Sequence, residues 1–424
     1  MHRSPLASSC TFQMKMSLKI ITGVAAALLA RTAAAQQPQI EVAPEQEQKP
    51  QTTTLPRETP VETPLGTGPS IVGSAIGGYG ELTLNAPLGD SPGNAIVDLR
   101  RIVLFVGHNF TDKLRFYSEL EVEHAVSSAD DRGEFEVEQA FLDALLSRRL
   151  NLRGGLILVP VGIVNVYHEP PTFNGVDRPD VDLVIIPTTW REPGIGIFGE
   201  LGPTLRYQFY LLNGLNANGF TAEATIREGH QEAELAHAGD VAVVGRLDWE
   251  PRAGSVFGLS AYGGTAGNTL ANAVGSVPVG LVEADARTRR GGFEARAELA
   301  FLFIGDTAAL NGVLTPTPPM VNEALPIPSF AWGGYGEVGY NLLQLVAPGS
   351  AQNVTLFGRF DYVDTQAGVP TGYMARPEFR RYTGTAGLTY LPIPQIALKL
   401  DYRRHEFGEG PGYNEIASAI TWMF

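Results

Sequence analysis

Apolar and polar residues alternate with a period of two over most of the chain after residue 71. Gly, Pro, Asn and Asp separate the alternating segments. Because successive side chains of a strand point to opposite faces, each segment predicts a strand with one apolar and one polar face. In one segment Leu114, Phe116 and Leu120 share the face opposite Arg115 and Glu119. The pattern predicts an all-β chain.

Counting such segments gives about sixteen strands, an even number as single-chain bacterial barrels have. The predicted strands are 73–86, 95–108, 113–126, 134–146, 150–160, 194–201, 204–213, 240–250, 255–264, 279–288, 293–303, 330–342, 352–364, 379–391, 395–406 and 413–424.

The connections between these strands alternate between short turns and long loops. That alternation is typical of a transmembrane antiparallel β-barrel, whereas a soluble β-sandwich, the alternative, has shorter strands and no such alternation. The barrel must close, because hydrocarbon cannot satisfy the open edge of a sheet. We therefore expect outer-membrane lipid around a barrel spanning 71–424.

One connection, 161–193, is too long for a hairpin turn. It is rich in Pro and charged residues and carries the apolar anchors Ile185, Ile186 and Trp190. We expect it to fold into the lumen and to narrow it. The predicted constriction residues are His168, Glu169, Arg178, Asp180, Arg191 and Glu192.

The polar strand faces should line the lumen, because an Arg or Lys facing lipid at mid-membrane costs about 2–4 kcal/mol. The predicted wall residues are Arg115, Glu119, Glu121, Glu136, Glu138, Arg206, Arg296, Arg359 and Arg403. The acidic rows on the third and fourth strands have two interpretations. They are either a wall paired with arginines of neighbouring strands, or a cation-attracting surface or divalent-ion site.

The N-terminal region reads as two segments outside the barrel. Residues 1–35 combine Lys15 and Lys19, an apolar core and a small-residue cleavage site, which is typical of a secretory signal; a membrane anchor helix is the alternative. Residues 36–70 are rich in Gln, Glu, Pro and Thr, which predicts a disordered periplasmic linker, or alternatively a docking segment. Cys10 precedes the apolar core, so the mature chain has no thiol.

Composition excludes several classes of protein. A mean hydropathy of -0.01 excludes a helical membrane bundle, and a net charge of -14 argues against a nucleic-acid partner. The chain contains no G-x-S-x-G or H-E-x-x-H motif, and its seven histidines form no metal-ligand spacing. We therefore expect no catalytic residues, no metal and no cofactor.

The chain ends on an alternating strand with Ile420, Trp422 and Phe424 on one face. The aromatic residues Trp422 and Phe424 suit the interfacial belt of a barrel. A terminal Phe also resembles the signal by which the outer-membrane assembly machinery recognises barrels, so that machinery is an expected partner.

Several stretches resemble the phosphate-selective porin O and P family. They are 78–81, 114–121, 136–141, 159–163, 168–173, 186–192 and 212–214. The resemblance implies a sixteen-stranded outer-membrane porin of a Gram-negative-type bacterium, often a homotrimer, with its third outer loop in the lumen. It also implies binding of phosphate or pyrophosphate by a ladder of arginines and a lysine cluster.

This sequence departs from that pattern, because lysine is scarce after the leader and the arginines alternate with carboxylates. The expected function is passive diffusion of small anions or other hydrophilic solutes. The alternatives are a channel specific for phosphate or oligophosphate, a barrel enzyme, and a barrel that tethers the envelope through its linker.

Overall fold

A computed structural model describes residues 73–89, 91, 93–125, 133–267, 270, 273–314 and 325–424. The predicted signal segment 1–35 and linker 36–70 lie outside the described residues. None of the helices in the described ranges is long and apolar enough to cross a membrane.

Sixteen antiparallel strands form one closed barrel in which each strand pairs with its neighbours in sequence. They are β1 (Gly73–Leu88), β2 (Ile96–Asn109), β3 (Leu114–Glu123), β4 (Phe135–Leu145), β5 (Asn151–Leu158), β6 (Arg191–Glu200), β7 (Leu205–Asn213), β8 (Val241–Arg252), β9 (Ser255–Thr265), β10 (Pro278–Arg290), β11 (Phe293–Ile304), β12 (Phe330–Asn341), β13 (Asn353–Gly368), β14 (Arg380–Ile393), β15 (Ile396–Phe407) and β16 (Tyr413–Met423). The predicted fold class is confirmed.

The barrel closes where β1 pairs with β16, from Tyr79 opposite Met423 to Leu88 opposite Asn414. The last residue extends this ladder, because Phe424 N donates to Gly78 O at 2.8 Å and Gly78 N donates to Phe424 O at 3.0 Å. The pairing of β16 with β1 therefore continues through residue 424.

Short helices lie in the connections. They are α1 (Ile163–Val166), α2 (Val181–Val184), α3 (Thr307–Leu314) and α4 (Leu343–Val346), with single 3₁₀ turns at Pro170–Thr172, Ala217–Gly219, Arg227–Gly229 and Pro377–Phe379. Of these, α4 lies in the connection between β12 and β13, at the end of the barrel that carries the short turns.

One predicted boundary was wrong. Arg191 and Glu192 lie in β6 opposite Leu158 and Ile157, rather than on the loop. The predicted loop ended at Pro193, a residue that has no N–H to donate to a ladder. The ladder instead continues through Pro193, opposite Leu156, and the loop spans 159–190.

The outer face of the barrel is apolar and carries aromatic rings near both ends. At the long-loop end the ring of Trp332 lies 6.2 Å from Phe301 and 4.6 Å from Tyr362. At the short-turn end Trp249 lies 5.5 Å from Phe257. Such rings suit the two interfaces of a bilayer, with the apolar band between them.

Candidate functional site

The loop 159–190, called the third loop below, begins and ends at a fixed base. Val159 N donates to Trp190 O at 2.9 Å. Asn165 bridges the two ends, because its Nδ2 donates to Val159 O at 2.6 Å and its Oδ1 accepts from Trp190 N at 2.7 Å. Gly162 has φ 81° and its Cα lies so close to Glu298 that a Cβ there would be 2.7 Å from Oε1. A side chain at position 162 would clash with Glu298, so glycine is needed where the chain leaves β5 and turns into the lumen.

Apolar residues hold the third loop against the inner wall. Ile185, Ile186 and Trp190 are fully buried. The Trp190 ring lies 4.7 Å from that of Tyr262 on β9 and stacks 6.2 Å from that of His230. Burying one such side chain contributes roughly 1.5–3 kcal/mol, so these residues stabilise the folded-in position of the loop.

The tip of the third loop carries Asp177, which lies among cations from distant strands. Its carboxylate pairs with Arg100 of β2 at 2.6 Å and with Arg403 of β15, and it accepts from Asn85 Nδ2 of β1 at 3.1 Å. Burial opposes the charge of Asp177, but Arg403 and Arg100 outweigh burial and hold its pKa well below the usual range.

Backbone groups beside the tip are also bound by the wall. Lys399 Nζ donates to Gly175 O at 2.7 Å, and Val176 N donates to Asp401 Oδ2 at 2.7 Å. Asp180, one of the predicted constriction residues, donates its N–H to Asp361 at 3.1 Å and accepts from Thr383 Oγ1 at 2.7 Å. The loop thus crosses the lumen and is fixed on several strands.

Asp182 on α2 differs from Asp177 in having no hydrogen-bond donor to either carboxylate oxygen among the described residues. It is fully buried. Burial raises its pKa to about 8, and Arg178 and Arg359 only partly offset this. Asp182 is therefore a neutral acid at neutral pH.

His168 lies on the other side of the third loop, against β3 and β4. Its Nε2 is 3.2 Å from Glu119 Oε1 and 3.8 Å from Glu138 Oε2. Burial lowers the pKa of the imidazole, but Glu119 and Glu138 outweigh burial and raise the pKa well above its usual value. The neighbouring Glu169 is half-buried, and its carboxylate has no ion pair within the described ranges.

The next long loop, 214–240, packs on the third loop and is called the fourth loop. Thr225 Oγ1 donates to Val184 O at 2.7 Å, and Arg227 Nη1 donates to Leu183 O at 3.2 Å and to Thr188 O at 2.9 Å. Side chains of the fourth loop thus donate to backbone carbonyl oxygens of the third loop and hold the two loops together. The sequence-based prediction assigned no role to the fourth loop.

The predicted residues that proved to be on β6 also contact the fourth loop. Arg191 pairs with Glu136 of β4 and with Glu232 at 3.0 Å. Glu192 is fully buried and accepts from Gln231 N at 3.2 Å.

Three of the predicted wall arginines meet the third loop. Arg296 donates to Thr172 O at 2.7 Å, and Arg359 donates to Asp177 O at 3.2 Å. Arg403 pairs with the Asp177 carboxylate as described above. These contacts make the arginines anchors of the loop.

Of the other predicted wall residues, Glu121 and Arg206 pair within the wall, whereas Glu119 and Glu138 lie against His168 of the third loop. Glu121 lies 3.3 Å from Arg101, and Arg206 lies 3.6 Å from Glu250. Arg115 is half-buried opposite Asp143, near the short-turn end.

Two adjoining chambers lie beside the third loop. The acidic chamber, about 300 Å³, has six carboxylates and four arginines among its described lining residues, including Glu134, Glu136 and Glu232. The basic chamber, about 490 Å³, has seven arginines and five carboxylates, including Arg359, Arg381 and Arg403. Formal charge therefore differs in sign between them, from -2 to +2, without counting histidines.

Four residues line both chambers and are called the collar: Arg101, Glu123, Arg178 and Arg227. They come from β2, β3, the third loop and the fourth loop. Arg178 differs from the other two arginines of the collar in making no hydrogen bond or ion pair to any residue in the described ranges. Burial lowers its pKa, and nearby Arg101 lowers it further.

Of the collar, the sequence singled out Arg178 for the constriction and placed Glu123 on the polar face of the third strand. Arg101 had a usable signal, because it lies on an alternating strand, but Arg100 precedes it and the inward residue of such a pair is ambiguous. Arg227 and Asp177 carried no signal, because their partners lie on loops or strands far away in sequence.

Fold and site together define a porin-like barrel, with charged chambers beside a loop folded into the lumen. OmpF of Salmonella typhi, in complex with daunomycin, has a similar fold, with a TM-score of 0.55 at 11% identity over 83% of this chain and 97% of that chain. The outer membrane channel DcaP of Acinetobacter baumannii has a TM-score of 0.52 at 14% identity, covering 83% of this chain and 97% of its own. These barrels share the fold of this chain.

Sequence similarity identifies a nearer relative. An uncharacterized protein of Aquifex aeolicus (strain VF5) is 35% identical over 356 residues, which are 83% of this chain and 80% of that protein. The chain belongs to the same family as that protein. No protein-family model matches the chain.

Proposed function

We propose that this protein is a passive porin of a Gram-negative-type outer membrane, through which small hydrophilic solutes cross without a covalent step or an energy source. The observation that carries the proposal is the collar, at which chambers of opposite formal charge adjoin beside the third loop. Fixed charges of both signs in a narrow section orient a dipolar solute and filter by size and charge.

Arg178 is the residue on which this filter depends most. It lines both chambers, and its guanidinium keeps its donors for water or solute, because nothing in the described ranges binds them. A unit charge acts on an ion at 4 Å with about 1 kcal/mol in water and more where water is excluded. One such charge is therefore enough to change ion preference severalfold.

A channel specific for phosphate or oligophosphate is the second candidate, supported by the seven arginines of the basic chamber. Several of these cations are already bound, however: Arg100 and Arg403 by Asp177, and Arg359 by Asp361 at 2.9 Å. This favours general diffusion over a phosphate site. Current that saturates steeply with phosphate concentration would support the specific channel instead.

Single-channel recording in a planar bilayer with a KCl gradient tests the proposal. Arg178→Glu should move the reversal potential toward cation preference, and Arg178→Lys, which keeps the charge, should leave it close to wild type. Arg404→Glu is a matched control, because Arg404 is exposed beside Glu406 and lines neither chamber. Wild-type selectivity in a correctly assembled Arg178→Glu barrel would refute the role of the collar.

Shortening the third loop tests the passage itself. Replacing 169–182 by a short Gly-Ser turn removes Arg178 and the bound tip of the loop, so conductance should rise and discrimination by solute size should weaken. Heat-modifiable mobility on gels would show that the barrel still assembles. Unchanged conductance in such an assembled barrel would mean that solutes do not pass beside this loop.

A further inference from the structure

A buried group of three side chains joins the third loop to the barrel wall. Nε2 of His168 lies 3.2 Å from Oε1 of Glu119 and 3.8 Å from Oε2 of Glu138. The three ligand-type atoms all lie within 4.8 Å of one another. Ligands held at about 2.0–2.2 Å from one tetrahedral zinc ion are roughly 3.3 Å apart. The spacing of these atoms suits a single divalent cation.

Each of the three side chains also makes a hydrogen bond on the side that faces away from the other two. His168 Nδ1 lies 3.3 Å from Asn165 O, so it donates there and directs Nε2 at the carboxylates. Gln139 donates to the far oxygen of Glu119 at 2.5 Å, and Thr189 donates to the far oxygen of Glu138 at 3.0 Å. Metal-binding histidines and carboxylates typically have such outer partners, which fix the tautomer and the orientation of the ligand.

Among the buried atoms around this site that have no hydrogen-bond partner within the described ranges, two belong to residues that contact His168. One is Oε2 of Glu138, the oxygen that faces His168. The other is the hydroxyl of Tyr79, whose ring meets the His168 ring edge-on at 6.1 Å. This hydroxyl lies near enough to the carboxylates of Glu138 and Glu119 to interact electrostatically with both. Buried polar atoms of native proteins almost always have a partner, and a bound ion or its water would supply one to these two.

The charge at the site also favours a bound cation. Arg101 pairs with Glu81 at 2.9 Å and with Glu121 at 3.3 Å, so it is already shared by other carboxylates. Glu119 and Glu138 have no arginine or lysine within 4 Å in the part of the chain that the structure describes. A proton on His168 supplies one positive charge against these two carboxylates, whereas a divalent cation supplies two. Buried carboxylates are stable only when paired or bound to metal.

We propose that Glu119, Glu138 and His168 bind one divalent transition-metal ion that ties the third loop to β3 and β4. A nitrogen ligand with two carboxylates suits Zn²⁺ better than Ca²⁺ or Mg²⁺, which prefer oxygen alone. The hydroxyl of Tyr79 is available as a fourth ligand or as a partner of a metal-bound water. The proposal does not depend on which solute crosses the barrel, because it concerns how the loop is held.

The experiment measures metal bound to the full barrel in lipid after stripping with EDTA, loading with Zn²⁺ and washing. We expect about one zinc per wild-type chain, and its loss in His168→Gln and in Glu138→Gln. His230→Gln is the matched control: His230 also lies on a buried loop, beside Glu232 at 3.3 Å, but outside the site. It should keep the zinc.

Either of two results would overturn the proposal. If wild type holds no more zinc than His168→Gln, a proton occupies the site. If both variants keep stoichiometric zinc, the ion lies elsewhere. X-ray absorption of zinc-loaded wild type decides without relying on how the variants fold: one imidazole with oxygen ligands supports the site, whereas oxygen alone or several imidazoles contradicts it.

Discussion

The ring of Trp190 at the end of the third loop lies 4.7 Å from that of Tyr262 on β9, with the ring planes 51° apart. Both residues are buried inside a barrel whose lumen would otherwise hold water. The loop is therefore fixed by an apolar core as well as by charge.

Trp190→Ala should destabilise the barrel strongly, because removing a buried Trp leaves a cavity and typically costs about 3–5 kcal/mol. Urea unfolding in lipid, followed by tryptophan fluorescence and gel mobility, measures this. Trp249→Ala is the control, since Trp249 is half exposed on the outer face. A loss no larger than that of the control would mean that the loop is not held by this core.

Asp177→Asn should release the tip of the third loop, because it removes the charge that binds Arg100 and Arg403. We expect larger and noisier single-channel conductance. Glu169→Gln, on the same loop but without an ion pair in the described ranges, should behave like wild type. Equal noise in the two variants would show that Asp177 does not fix the tip.

The pH dependence of this contact follows from the lowered pKa of Asp177. A carboxylate with a lowered folded pKa stabilises at pH above its unfolded value of about 3.9, and loses that effect as pH falls through the folded value. The tip should therefore stay bound throughout the neutral and mildly acidic range. Conductance noise that rises already near neutral pH would contradict this.

Asp182→Asn should stabilise the folded barrel at neutral pH. Its pKa is raised to about 8, so the folded state keeps a proton that the unfolded state releases above about pH 4. The free energy of unfolding then falls by about 1.4 kcal/mol per pH unit between these values. Asn cannot ionise, so the variant should be more stable than wild type at pH 7. Its free energy of unfolding should also change less between pH 4 and pH 8. A variant with the wild-type slope would rule out Asp182 as the source.

Deleting Phe424 should reduce assembly, because the two hydrogen bonds with Gly78 and an aromatic anchor are lost together. Phe424→Tyr keeps both features and should assemble like wild type. The fraction of heat-modifiable barrel in outer membranes is the measurement. Wild-type amounts after deletion would show that neither feature is required.

The strands could be predicted because a period of two is a local signal, repeated in each segment. Most boundaries fall within two residues of the structure. The largest extension, in β13 to Gly368, coincides with a shift in register between Phe330 and Trp332, a bulge with no signature in the sequence. The start of β6 was predicted at Gly194, three residues late, because the pairing of 191–193 with β5 is a long-range contact with no signal in the local sequence.

The site was predicted only in part, because its partners are distant in sequence. His168 and Asp180 were singled out, but Glu119 is 49 residues from His168, and Asp361 is 181 residues from Asp180. No spacing rule relates a loop residue to a strand that it meets only after folding back into a barrel. The contact between the third and fourth loops was missed for the same reason.

The partners of Asp177 constrain the order in which this barrel assembles. Asn85 belongs to β1 and Arg403 to β15, so the carboxylate is bound from both sides of the β1–β16 closure. An intermediate that is still open there offers either Asn85 and Arg100 or Arg403, but not all three together. The tip of the third loop can thus make all of its contacts only after the first and last strands have paired. Full binding of the tip therefore reports that the barrel has closed.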